Sequence, residues 1–292
     1  MGSHKARNVD RFEFEEKWWE KLNDFGAVFL AEGDSWFSYG SLQFRNLLLG
    51  LKLPYKALIL NIAQPGDTLR RMEDTCKNPE LYWYLRNQSG RRWDGIFLSG
   101  GGNDLIDAAW DEKAKRSWIF VRPADPARIT KDNLRDVVDR DACVALYSYI
   151  QKNVRHIVEE GRDQAGGNSV NVPMFMHTYA LVQPRNSAAK LLAGIKKGPW
   201  LYPACRWLGI DESLWIEVAR MVLGDLAEAL KSLSLPNFHV IDTLSLTTDM
   251  IPADPGSTKN SKDWDNEIHP NKGGYRKLAA TWSEKIVKIV LV

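Results

Sequence analysis

Short apolar runs alternate with longer stretches of helical spacing along this 292-residue chain. Five runs have strand length: Ala27 to Gly33 (AVFLAEG), Lys56 to Ala63 (KALILNIA), Gly95 to Gly102 (GIFLSGGG), Val172 to Ala180 (VPMFMHTYA) and Phe238 to Leu244 (FHVIDTL). Each closes in turn-forming residues, and near-continuous apolarity suits parallel strands buried on both faces. Between them, helical patterns occupy Ser41 to Leu51, Asp67 to Cys76, Lys131 to Gly161, Asp211 to Ser232 and Lys272 to Val290, the last with Asn271 placed as its N-cap. An amphipathic stretch, Phe12 to Phe25, adds an N-terminal helical extension over about residues 1–25, with Phe14, Trp18 and Leu22 at helical spacing. Strand followed by helix, repeated, predicts a single three-layer α/β/α domain around a parallel sheet of about five strands.

Two stretches break the alternation, Leu105 to Thr130 and Leu181 to Ile210. Both are rich in proline and tryptophan, and both follow strand ends. Connections of that size are commonly functional. In an open parallel sheet, ligands bind at the C-terminal edge of the strands.

Composition narrows the class. A net charge of +2, with Lys and Arg dispersed, gives no footprint for nucleic acid. Three cysteines, none in a CxxC pair, fit reduced structural thiols better than a disulfide scaffold or a zinc ribbon. With no apolar signal core at the N-terminus, a cytoplasmic setting is expected. No apolar run is long enough to span a bilayer, although the amphipathic N-terminal stretch keeps peripheral membrane contact open. Twelve tryptophans are many for this length, and Trp36 and Trp200 fall in loops where they could line a substrate surface.

The ends of the strands collect chemistry. Gly33-Asp34-Ser35-Trp36 follows the first, Gln64-Pro65-Gly66-Asp67 the second, and Gly101-Gly102-Asn103-Asp104 the third; Asp263 to Asn271 precedes the last helix. If these loops share one edge, a serine and a histidine meet in one cleft, and acyl transfer needs that pair. A hydroxyl is a poor nucleophile until a base takes its proton, and imidazole suits that task near neutral pH. The tetrahedral oxyanion needs donors already aimed at it. The N–H of Ser35, the N–H of Gly66 and the side-chain amide of Asn103 can supply them. Gly100-Gly101-Gly102 lacks the Lys-Ser/Thr of a phosphate loop. His156 and His239 read as structural, while His177, at the end of the fourth strand, is a candidate substrate contact.

Gly33-Asp34-Ser35, Gly66, Gly102-Asn103-Asp104 and Ile268-His269-Pro270 together resemble the four blocks of the SGNH hydrolases, also called the GDSL esterase/lipase family. They occur in the family's order and span residues 31–275. The resemblance implies a flavodoxin-like fold, Ser35 as nucleophile, His269 as base, and an oxyanion hole from Ser35, Gly66 and Asn103, with no cofactor and no metal. Two positions depart from it. Trp36 replaces the family's leucine, and Asn266 stands three residues before the histidine where the family places aspartate. The imidazole is therefore oriented by Asn266, by Asp265 as an alternative acid, or by a backbone carbonyl. Expected substrates are small-molecule or lipid acyl esters, with O-acetylated carbohydrate as the alternative. A metal-dependent phosphoesterase built on Asp34, Asp67, Asn103, Asp104 and His269, and a non-catalytic binding module, are the competing classes.

Overall fold

The structure, a computed structural model, describes residues 3–38, 45–86, 92–190, 196–245 and 249–290. The central sheet is wholly parallel and has six strands: β1 (Arg7–Val9), β2 (Ala27–Gly33), β3 (Ala57–Asn61), β4 (Gly95–Ser99), β5 (Met174–His177) and β6 (Phe238–Ile241), in the order β6-β5-β4-β2-β3-β1. The five apolar runs supply β2 to β6. Every residue of β2 and β4 is buried, as continuous apolarity requires.

The sixth strand corrects the expected count. β1 lies inside the segment read as a helical extension and pairs with β3 in the register Val9 to Leu60. Only Val9 of its three residues is buried, so the sequence carries almost no strand signal there. The helix expected from Phe12 to Phe25 is also not continuous. Asp10 caps one α-turn (Arg11–Glu13), which passes into a π-turn (Phe14–Trp18) and then a 3₁₀ segment (Trp19–Asp24) interrupted at Lys21. This irregular path buries Phe14 completely, with Trp19 edge-on at 5.7 Å and Trp93 at 6.2 Å.

Helices α1 (Ser35–Ser38), α2 (Leu69–Glu73), α3 (Pro79–Leu85), α4 (Gly102–Ala109), α5 (Arg140–His156), α6 (Tyr202–Leu208), α7 (Trp215–Lys231) and α8 (Lys272–Val290) complete the layers. One layer packs α2, α4 and α7 around α5; the other is built on α8, beside the 3₁₀ turn Leu48–Gly50. The Trp282 ring of α8 lies against Phe97 of β4 at 5.5 Å and Phe37 at 5.6 Å.

The helix read over Lys131 to Gly161 is broken. Val138 is extended and bridges Phe120, and Asp139 then caps α5 by accepting the N–H of Ala142. Of the helical pattern read over Ser41 to Leu51, residues 41–44 lie outside the described residues, and the rest forms only the turn Leu48–Gly50. The first excursion begins later than expected, because α4 absorbs Leu105 to Ala109. The second contains a short hairpin, Ala189–Lys190 against Lys196–Lys197, followed by α6.

From β2 the chain moves to β3 on one side, then crosses to β4 on the other. This reversal opens a crevice at the C-terminal ends of the strands, the usual binding position of such sheets.

Candidate active site

Ser35 opens α1 directly beyond β2, at that crevice. Its Oγ lies 2.8 Å from His269 Nε2, and His269 Nδ1 lies 2.9 Å from Asn266 Oδ1. Residues 234 positions apart thus share one hydrogen-bonded line. The loop carrying the imidazole is closed tightly on itself. Asp265 donates its N–H to the His269 carbonyl at 2.9 Å, Trp264 bridges Ser261 and Pro270, and Asn271 Oδ1 caps α8 by accepting from Gly273 and Gly274.

The Asn266 side chain has a fixed direction. Its Oδ1 also accepts the N–H groups of Ile268 at 3.1 Å and His269 at 3.0 Å. Two backbone donors identify that atom as the carbonyl oxygen, so the third partner, Nδ1, must carry a hydrogen. The Nε2 lone pair then faces Ser35. Asp265, the alternative acid, instead pairs with Arg45 at 3.1 Å. Burial depresses the His269 pKa to about 3, with the Lys197 ammonium adding to the effect. The neutral imidazole that a general base requires is therefore the resting form.

Gly66 is the third residue of a turn that begins at Gln64, with Pro65 before it and Asp67 N–H closing on the Gln64 carbonyl at 3.3 Å. Its φ of +88° is the conformation that position needs in a type II turn. Asn103, in the first turn of α4, donates one amide hydrogen to the Asp67 carbonyl at 2.8 Å. That contact ties the second and third loops together and leaves the second hydrogen of the same nitrogen for another acceptor. Asp104 Oδ2 adds a further tie by accepting the Leu69 N–H at 3.0 Å.

A second buried network lies beneath the serine. Asp34 Oδ1 accepts from Trp36 N at 2.9 Å and Ser99 Oγ at 2.7 Å, and its Oδ2 accepts from the Tyr179 hydroxyl at 2.5 Å. The Tyr179 oxygen in turn accepts the Gly102 N–H at 3.0 Å. A Cβ on Gly102 would stand 2.6 Å from Tyr179 Cζ, so only glycine permits this approach. One phenol therefore links the serine loop to the asparagine loop. Tyr179 holds a φ of +63°, unusual for a bulky residue and concentrated at functional sites. Tyr179 and Ser99 had no role in the sequence expectations; the signal available was a hydroxyl-bearing residue at the C-terminal end of each of two buried strands, Ser99 as the last residue of β4 and Tyr179 two residues past β5.

His177, the candidate substrate contact, lies inside the fold rather than on the wall of the crevice. It is fully buried, its Nε2 lies 2.8 Å from Ser99 Oγ, and rings of Phe37, Tyr179 and Trp282 surround it. Because the Ser99 hydrogen is committed to Asp34, the imidazole donates from Nε2, and burial, which lowers its pKa to about 3, keeps it neutral. Trp36 is buried at the floor of the site, edge-on to Tyr179 at 5.0 Å. Trp200 packs edge-on to His269, with ring centroids 5.5 Å apart.

Glu267 has a structural task that its position beside Asn266 did not disclose. Its buried carboxylate gathers the N–H groups of Arg185, Trp200, Leu201 and Tyr202, at the start of α6. Arg185 reaches back to donate to the Asn266 carbonyl at 2.7 Å. The second excursion is thus fastened to the histidine loop by both residues.

Beside Ser35 opens a small cavity of about 40 Å³, lined mostly by apolar side chains including Leu105, Ile106, Val182, Leu201 and Ile268. Protein donors already occupy three of the roughly four acceptor sites of Asp34, one of the five residues of the metal-dependent alternative. Among the described residues no group of three or more His, Cys, Asp or Glu is placed to hold a metal ion, and no helix is long and apolar enough to cross a membrane.

No protein-family model and no curated protein matches the chain. Solved structures do. The lipase Lip_vut3 from a goat rumen metagenome is 17% identical, with 88% of this chain and 96% of that one covered at a TM-score of 0.49. A possible lipase from Chitinophaga pinensis is 11% identical, covering 91% and 100% at 0.46. A catalytic mutant of Axe2, an acetylxylan esterase from Geobacillus stearothermophilus, is 14% identical, covering 89% and 94% at 0.40. The α/β/α fold and its four blocks resemble the SGNH hydrolases. The likeness to these structures is one of fold; the chemistry rests on the site itself.

Proposed function

We propose that this protein is a serine hydrolase that cleaves carboxylic esters through an acyl-serine intermediate. The observation that carries the reading is the line from Ser35 Oγ through His269 to Asn266 Oδ1, set beside an apolar cavity. Ser35 Oγ attacks the ester carbonyl carbon while its proton passes to His269 Nε2. The oxyanion is met by the Ser35 N–H, the Gly66 N–H and the second amide hydrogen of Asn103. The imidazolium returns its proton to the departing alkoxide, leaving an acyl-serine and a free alcohol. Water, deprotonated by the same imidazole, then releases the acid and restores Ser35.

The small cavity favours a short acyl group. Hydrolysis of p-nitrophenyl esters from acetyl to palmitoyl tests both points. The expected result is highest kcat/KM for acetyl or propionyl, with Ser35→Ala lower by on the order of 10³-fold or more. Undiminished activity in Ser35→Ala would refute the mechanism, and a preference for palmitoyl would refute the acyl assignment alone.

A further inference from the structure

A groove of about 610 Å³, far larger than the acyl cavity, opens next to the site between the two excursions. That volume falls within the range of small-molecule sites, roughly 300–1,000 Å³. Three indoles line it: Trp110 and Trp118 from the first excursion and Trp200 from the second. Three features join it to the reaction centre. Ile106 lines both the groove and the acyl cavity. Trp200 packs on His269. A Cβ on Gly66 would stand 3.1 Å from the ammonium of Lys197, another lining residue.

An ester has two halves, and the two spaces differ in chemistry. The cavity is apolar and small. The groove combines indole faces with the carboxylates of Asp107, Asp111 and Glu112 and the ammonium groups of Lys113 and Lys197. An alkyl chain laid there would desolvate charges without pairing them. A ring carrying several hydroxyls meets both demands, because its C–H faces stack on indoles while its hydroxyls exchange hydrogen bonds with carboxylate and ammonium. We propose that this groove binds the alcohol half of the ester, and that this half is a polyhydroxylated ring such as a sugar. The assignment rests on the esterase reading and adds the identity of the leaving group.

The test holds the acyl group constant and varies the alcohol, using vinyl acetate, dodecyl acetate and cellobiose monoacetate. Trp118 is 51% exposed, so its replacement by alanine leaves the core intact. The expected result is a kcat/KM at least tenfold higher for cellobiose monoacetate than for either other ester, with most of that preference lost in Trp118→Ala. Absence of the preference in the wild type, or an equal loss toward dodecyl acetate in Trp118→Ala, would overturn the proposal. Fluorophosphonate labelling of the wild type, run alongside, separates the causes. A labelled enzyme without sugar preference removes the groove assignment alone, whereas an unlabelled one removes the esterase reading and this proposal together.

Discussion

Asn266 Oδ1 lies 2.9 Å from His269 Nδ1 and is held in place by the N–H groups of Ile268 and His269. In serine proteases, asparagine at the orienting position lowers turnover by about 10⁴, because it leaves the imidazole in the wrong tautomer. Here the two backbone donors turn the carbonyl oxygen toward the ring, so the correct tautomer is retained. What an amide still lacks is the charge that would stabilise the imidazolium. Asn266→Asp keeps an acceptor at that place and adds the charge. The acid limb of the kcat/KM profile should move up by at least one pH unit in this variant, while Asn266→Ala should lose on the order of 10²–10⁴ in kcat. An unshifted limb in Asn266→Asp would show that the Nδ1 partner does not govern the base.

Tyr179→Phe removes a hydroxyl that serves Asp34 and Gly102 at once. The Gly102 N–H is left unpaired and Asp34 loses one of its three donors. Unfolding free energy should fall by about 1–3 kcal/mol. Because the phenol aligns two loops rather than binding substrate, kcat should fall on the order of tenfold with KM little changed. Steady-state kinetics on p-nitrophenyl acetate and urea denaturation read the two effects. A large KM change with unaltered kcat would contradict the positioning role.

Glu267→Gln tests the fastening of the second excursion. One amide oxygen cannot replace two carboxylate oxygens that receive four N–H groups. The expected loss is on the order of 1.5–3 kcal/mol in stability. Limited proteolysis should show faster cleavage near Pro199 to Tyr202. Unchanged cleavage and stability would mean that the excursion is held by its apolar contacts alone.

Glu32, fully buried near the end of β2, accepts from Gly33 N and Asn78 Nδ2, and burial raises its pKa to about 8. The unfolded value is near 4.3. Below both values the folded and unfolded chains are equally protonated at this site. As pH rises toward 8, the unfolded chain ionises and the folded one does not, so the native state loses stability over that window. Glu32→Gln removes this dependence. Its stability relative to wild type should therefore rise between pH 5 and pH 8, measured by denaturant unfolding at both values. A constant difference would show that Glu32 is ionised in the fold.

The five long strands were legible because each is apolar on both faces, and the four blocks were legible because they close those strands or precede the last helix. β1 was not, since a three-residue edge strand with one buried side chain has no periodicity. The broken start of α5 depends on Val138 pairing with Phe120, and on Asp139 capping, which helical spacing alone does not weigh. The burial of His177 was not legible, because it ends a strand at the binding edge while Phe37 and Trp282, which enclose it, come from elsewhere in the chain. Glu267 was hidden for the same reason, because its four donors lie at Arg185 and at Trp200 to Tyr202.

The most direct test of Ser35 as nucleophile is covalent capture. Wild-type protein treated with a fluorophosphonate, digested and sequenced by mass spectrometry should carry one adduct, on Ser35, with His269→Ala labelling at least a hundredfold more slowly. Folded protein that takes no adduct, or takes it on another residue, would contradict the account.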